Sequence, residues 1–339
     1  MIENLTTVNI VIGLLGISLI ILGNYDAIKT TLSASRSGPF TNRFISQIWA
    51  VLLYFHQRRS NHKMLASTGP WMTVGLMVTW LVVILLGWWL LFSASPLAVV
   101  NAETKQPADA IERLYYAGYT ITTLGYGDFV PGTNSWRIAP IAAAANGFFL
   151  FTLTITYMLN IVANVTEKRQ IALTISALGE TPWQILEATH DNGNFQSLSQ
   201  QLQSLQASIG KLGQQHLAYP ILHYYHATER SKSLALALTR LYQALIIAKV
   251  SCHDIDSTAQ QQLTTSIKII ESFIATLDSA FITAVKELPE LPKLDTYQQL
   301  SGIAASQSTL QKHLSSENQK VLAAYVHKDG WAWEDVWRT

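Results

Sequence analysis

Residues 119–128 read Tyr-Thr-Ile-Thr-Thr-Leu-Gly-Tyr-Gly-Asp, and the fold turns on how this stretch is read. Gly125 and Gly127 alternate with large side chains, Pro131 follows, and long apolar segments lie on both sides. A glycine turn joining two helices is the ordinary reading. It does not explain a Thr-Leu-Gly-Tyr-Gly run at membrane depth. Non-helical backbone is tolerated there only where it is buried in protein or lines a cavity.

Residues 71–95 and 138–165, the flanking segments, contain no Asp, Glu, Lys or Arg. A transmembrane helix needs about 20 apolar residues, so both are long enough to span. Residues 7–23 are uncharged too, at the short end of that range. No basic residue precedes them and no small-x-small site follows, which favours an uncleaved anchor over a signal peptide. Composition agrees. Of 339 residues, 49% are hydrophobic and only 13% charged, against about 25% charged in soluble proteins. Mean hydropathy is +0.20. The net charge of +1 argues against nucleic acid as a partner. A single cysteine, Cys252, excludes a disulfide framework within the chain and a Cys-based metal site.

Basic residues orient the spans. Lys29, Arg36, Arg43, Arg58, Arg59 and Lys63 lie between the first two, against Asp26 alone. Between the second and third, before Arg137, Glu103, Asp109, Glu112 and Asp128 outnumber Lys105 and Arg113, and Lys168 and Arg169 follow the third. This predicts a multi-pass plasma-membrane protein with its N-terminus outside and its C-terminus in the cytosol. Phe44, Ile45, Ile48, Trp49 and Leu52 recur at helical spacing within residues 44–55. They read as an interfacial helix on the cytosolic leaflet or a helix packed on protein. Trp71, Trp88, Trp89 and Trp136 stand where an aromatic belt would.

The run Thr123-Leu-Gly-Tyr-Gly127, with Thr122 before it and Asp128 after it, resembles the selectivity filter of potassium channels. Leu124 replaces the commoner valine. The resemblance covers residues 71–165, with outer helix 71–95, pore helix 109–122, filter 123–127 and inner helix 138–165. It implies an all-α pore-loop potassium channel. Residues 1–70 add an N-terminal transmembrane helix, and residues 166–339 a helical cytosolic bundle. One filter per chain implies a homotetramer in the lipid bilayer, since four are needed around one axis. By resemblance, K+ sits at the carbonyls of Thr123, Leu124, Gly125 and Tyr126 and at the Thr123 hydroxyl, in rings that replace its water shell. No other cofactor is implied. Gly125 and Gly127 give the backbone cheap left-handed conformations. Tyr126 would point off the axis and pack on the pore helix. Asp128, repeated four times, would concentrate cations at the outer mouth. Tyr115 and Tyr116 stand where the family usually carries two aromatics. Tyr119 replaces a glutamate that bonds the mouth aspartate in some members, so a phenol donating to Asp128 is expected.

In the inner helix, Gly147 stands where the family often has a hinge glycine; close helix packing is the plainer reading. Helical spacing from Gly147 brings Phe151, Ile155, Leu159 and Ala163 to one face, which would line the cavity and a hydrophobic constriction. No span carries arginines at every third position, so no voltage sensor is legible.

Residues 166–339 read as helical. Phe195, Leu198, Leu202, Leu205, Ile209 and Leu212 form one stripe, Leu234, Leu238, Leu241 and Leu245 another, and Leu263, Ile267, Ile270, Ile274, Leu277 and Phe281 a third. Breakers at Asn192-Gly193, Pro220, Asp254, Pro289 and Pro292 separate them, predicting an antiparallel bundle rather than a tetrameric coiled coil. No phosphate loop or nucleotide-binding unit is present, so the ligand or partner of this region is open. His216, His223 and His226 cluster around Pro220, as core residues or as a proton or metal sensor. The tail holds Trp331, Trp333 and Trp337 and would cap the bundle or touch the membrane. No nucleophile–base pair suggests an enzyme. Two rivals remain: a non-selective cation channel, and a protein whose helical half is mainly a partner-docking module.

Overall fold

Helices dominate the chain, and the computed structural model describes residues 2–33, 37–59, 61–189, 196–251, 257–289, 310 and 312–338. They fall into two units. The first takes in the chain up to Ser33, Ser37–Phe44 and Trp71–Asn160; the second takes in Ile45–Pro70 and the chain from Ile161 onward.

In chain order come α1 (Ile2–Leu32), α2 (Pro39–Arg58), α3 (His62–Ser93), β1 (Val100–Asn101), α4 (Ala110–Ile121), β2 (Phe129–Val130) and α5 (Ile138–Ser176). The stretches Thr7–Leu32, His62–Ser93 and Asn134–Ser176 are long and apolar enough to cross a membrane. The chain fits an all-α membrane protein, with one two-stranded antiparallel pair that matches Val100 with Val130 and Asn101 with Phe129.

The helices overrun the apolar segments that announce them. α1 continues past residue 23 through Asp26, which is buried. Its carboxylate is satisfied locally. Oδ1 accepts from the Phe40 amide at 2.9 Å, and Oδ2 accepts from Thr41 Oγ1 at 2.5 Å and Trp80 Nε1 at 2.9 Å. Phe40 and Thr41 lie in the first turn of α2, so Asp26 supplies from a neighbouring helix the cap that orphan amides need. α1 and α3 approach closely through glycine. A Cβ at Gly16 would lie 2.7 Å from the Gly87 carbonyl oxygen, the small-residue contact that membrane helices use. Trp88 is buried rather than belt-like. Its indole donates to Asn146 Oδ1 at 3.0 Å, and Asn146 exchanges amide hydrogen bonds with Asn24 of α1 at 2.7 and 3.3 Å.

In the second unit the chain adds α6 (Pro182–Thr189), α7 (Gln196–Ala218), a 3-10 turn (Pro220–Tyr224), α8 (Leu234–Ser251), α9 (Ser257–Ala280) and α10 (Glu317–Lys328). α8 is buried round its whole circumference from Leu234 to Leu245, which marks the central helix of a bundle. Leu202, Leu205, Ile209 and Leu212 of α7 and Leu263, Ile267, Ile270, Ile274 and Leu277 of α9 are buried in the same core, and Phe281 packs against it. The described part of the first stripe, Leu202 to Leu212, is therefore covered within its own chain. Phe195, Asn192-Gly193, Cys252, Asp254 and Pro292 lie outside the described residues. Trp331 and Trp333 join the core and Trp337 packs on it, so the tail caps the bundle. Ile45, Trp49 and His56 of α2 are buried, while Val51, Tyr54 and Phe55 are exposed. Trp49 Nε1 donates to the Lys328 carbonyl at 3.2 Å. This face of α2 packs on protein, the second of the two sequence readings. Lys168, one of the orienting cations, is buried and donates to the Leu222 and Tyr225 carbonyls at 3.0 Å each.

Candidate functional site

The stretch at 119–128 hangs between α4 and β2. α4 starts sharply because Asp109 caps it. Asp109 Oδ1 accepts from the Ile111 and Glu112 amides at 2.8 Å each, and Glu112 Oε2 accepts from the Asp109 amide at 2.7 Å. This is a complete capping box. Trp89 Nε1 donates to the Ala110 carbonyl at 2.8 Å, and Phe92 meets the Tyr116 ring edge-on at 4.9 Å, so α3 fixes the first half of α4. At its other end Thr122 N and Oγ1 both bond back to the Gly118 carbonyl, and the Leu124 amide bonds the Tyr119 carbonyl at 2.9 Å.

Beyond Thr122 the backbone leaves the helix. Thr123, Gly125 and Gly127 have φ of +62°, +61° and +84°, every second residue left-handed. Alternating handedness turns successive N–H groups to one edge of the chain and leaves the carbonyls to the other. Glycine takes this at no steric cost, whereas Thr123 adopts it at about 1–2 kcal/mol. Thr122 to Asp128 are all exposed within the single chain.

Tyrosines back this strand. Tyr126 stacks on Tyr115 at 6.2 Å and meets Tyr119 edge-on at 5.9 Å, so its ring lies against α4. The Tyr119 hydroxyl donates to the Phe129 carbonyl at 2.8 Å and not to Asp128. Tyr115, one turn earlier, lies within electrostatic range of the Asp128 carboxylate. The Asp128 backbone is held from the loop side, its carbonyl accepting from the Ala102 amide at 2.8 Å.

Gly147 lies against the end of α4, where a Cβ would overlap the Ile121 carbonyl. It therefore has a close-packing requirement whether or not the helix bends there. Phe151, Ile155 and Leu159 are exposed, as is Ala163. Phe148, Phe149, Met158 and Val162 are exposed too, so apolar exposure covers more of α5 than the predicted lining stripe.

His216, His223 and His226 are all buried. His216 Nδ1 bonds the Leu212 carbonyl at 3.0 Å. His223 is stacked between Phe281 and Tyr325. His226 Nε2 lies 3.0 Å from His62 Nδ1, and its Nδ1 lies 3.9 Å from Asp329 Oδ2. Burial lowers the His216 and His226 pKa values to about 3, lowers that of His223 well below 6.5, and raises that of Asp329 to about 6. Among the described residues, no three His, Cys, Asp or Glu side chains converge on a metal site. The part that His56 and His62 play beside His226 was missed from sequence, because they lie far from it in the chain. So was the Asn24–Asn146 pair, although amides inside apolar spans are a usable signal.

A family model described as Ion channel matches residues 71–164. Along almost its whole length the chain is similar to an uncharacterized membrane protein, YdjJ, of Bacillus subtilis (strain 168), 28% identical over 322 residues and 94% of each chain. No solved structure matches. The matched segment holds α4, the left-handed strand and Gly147, and the two similarities together support an ion-channel pore segment within a membrane protein.

Proposed function

We propose that the chain assembles as a homotetramer that conducts K+ passively and selectively across the plasma membrane. The carrying observation is the alternation of left-handed residues at Thr123, Gly125 and Gly127, on a strand backed by tyrosines on one side and uncovered by its own chain. A row of backbone carbonyls replaces the hydration shell of a potassium ion only when four such strands face one axis. One strand per chain makes four copies the simplest solution. The C-terminal end of α4 leads into the strand, and its partial negative charge favours a cation there. In this reading Thr123, Leu124, Gly125 and Tyr126 coordinate the ion, Gly127 closes the strand, and Asp128 forms the mouth ring.

Gating belongs to α5, which runs without a break from Ile138 to Ser176. In this reading the helical second unit lies in the cytosol and biases the lower end of α5. The described members of the three apolar stripes lie in or against that unit's own core, which speaks against a surface built mainly to dock a partner. Purified protein in liposomes, assayed in mixed potassium and sodium, decides the function. A reversal potential near the potassium equilibrium value is expected. A value midway between the two ions would make it a non-selective cation channel, and no flux at all would remove the channel reading.

A further inference from the structure

The helix α1 lies outside the segment that matches the ion-channel model, yet it reaches that segment through a polar contact. Asn24 Nδ2 donates to Asn146 Oδ1 at 3.3 Å, and Asn146 Nδ2 donates to Asn24 Oδ1 at 2.7 Å. Trp88 Nε1 of α3 donates to the same Asn146 oxygen at 3.0 Å. Asn24 also bonds the Ile20 carbonyl of its own helix at 2.7 Å. An amide placed in an apolar span is costly unless its hydrogen bonds are made. Here two side-chain amides and an indole satisfy each other across three helices.

The position of this cluster matters more than its strength. Asn146 directly precedes Gly147, which lies so close to the Ile121 carbonyl that no side chain fits between them. Ile121 ends α4, and Thr123 begins the left-handed strand two residues later. A rotation of α5 that broke the amide pair would therefore also move the backbone that supports the end of α4.

We propose that Asn24 and Asn146, with Trp88, are positioning residues for conduction, through which α1 fixes the rotation of α5 at Gly147 and so sets the balance between conducting and non-conducting pores. This rests on the channel reading above. A latch of this kind acts only through the difference in its strength between two states of α5. Ion selectivity, which belongs to the strand, is untouched by it.

The test uses the full-length chain in planar bilayers, comparing parent, Asn24→Leu, Asn146→Leu and the double variant. Each single substitution should shift open probability in the same direction by roughly three- to tenfold, the scale of one interhelical hydrogen bond in a membrane. The potassium-to-sodium permeability ratio should stay at the parent value. The double variant should go no further than the larger single change, because both remove one interaction. Independent, multiplying effects, or open probabilities equal to the parent's, would overturn the proposal. Should Asn146→Leu fail to assemble, Trp88→Phe removes only the indole donor and should shift open probability the same way; no shift there or in Asn24→Leu overturns it equally. A parent chain that passes no cations would sink the channel reading itself. A conducting parent with unaltered variants sinks the latch alone.

Discussion

The Tyr119 hydroxyl donates to the Phe129 carbonyl oxygen at 2.8 Å, and so bridges the last turn of α4 and the first residue of β2. The intervening strand is closed into a loop by this bond, and it is buried. Replacing Tyr119 by Phe keeps the ring packing on Tyr115, Tyr116 and Tyr126 but leaves the Phe129 carbonyl without its donor. A loss of about 1–3 kcal/mol in local stability is expected. It should appear as faster decay of potassium current after activation, with membrane insertion unchanged. Currents as steady as the parent's would show that the bond does not hold the strand.

Gly125 has φ of +61° and nothing within 4 Å of a built Cβ in its own chain. Gly125→Ala therefore tests the backbone alone, at about 1–2 kcal/mol per chain. Potassium flux should be lost, or sodium should begin to permeate, while the spans still insert. Unaltered selectivity in this variant would falsify the assignment of the strand as the filter.

Neutralising Asp128 to Asn removes one negative charge per chain beside the strand. Conductance should fall most at low salt, because exposed charges are screened within about 10 Å at 0.1 M. Equal losses at about 10 mM and about 1 M salt, where the screening lengths are about 30 Å and 3 Å, would point to a structural role for Asp128 instead.

Gly147→Ala places a methyl group into the Ile121 carbonyl. Overpacking of this kind costs about 1–3 kcal/mol, so the proposed tetramer should dissociate at lower temperature in detergent. A glycine that served only as a hinge would leave assembly untouched and alter open probability alone. Native-gel thermal shifts beside bilayer recordings separate the two.

The buried histidines give the second unit a pH signature. His216, His223 and His226 have depressed folded pKa values, so they stay neutral in the fold while the unfolded chain takes up protons below about 6.5. Their contribution is present above that pH and is lost as pH falls toward about 3 for His216 and His226. Each adds a slope of about 1.4 kcal/mol per pH unit in that window. Asp329, raised to about 6, works the other way. Its contribution is present below about 3.8 and is lost as pH rises through about 6. Three groups outweigh one, so the thermal midpoint of the second unit should fall between pH 7 and pH 5. A constant or rising midpoint would show that the histidines are not buried in solution. His223→Phe, which keeps the stack on Phe281 and Tyr325, should flatten the slope.

The three spans, the helix over 109–122 and the special strand at 123–127 were legible in the sequence because their signals are local. Apolar length and alternating glycines need no distant partner to be read. The orientation of single side chains was not legible. Tyr119 and Tyr115 are both phenols one helical turn apart on α4, and only the path of the chain after Asp128 decides that the first donates to the Phe129 carbonyl. Thr123 offers no sign in its side chain that it shares the left-handed backbone of the glycines beside it.

The sequence by itself determined that the chain is membrane-embedded, mostly helical and built around one pore-loop strand, because hydropathy and backbone preference are properties of neighbouring residues. Only the tertiary structure decided that Asp26 caps a second helix rather than ending the first, and that the stripe on α7 is buried by α9 rather than by another chain. It alone joined Asn24 to Asn146 and His62 to His226. Those pairings link residues more than a hundred positions apart. They are set by how helices pack, where a few ångströms decide whether a polar group is an unpaired cost or one end of a hydrogen bond.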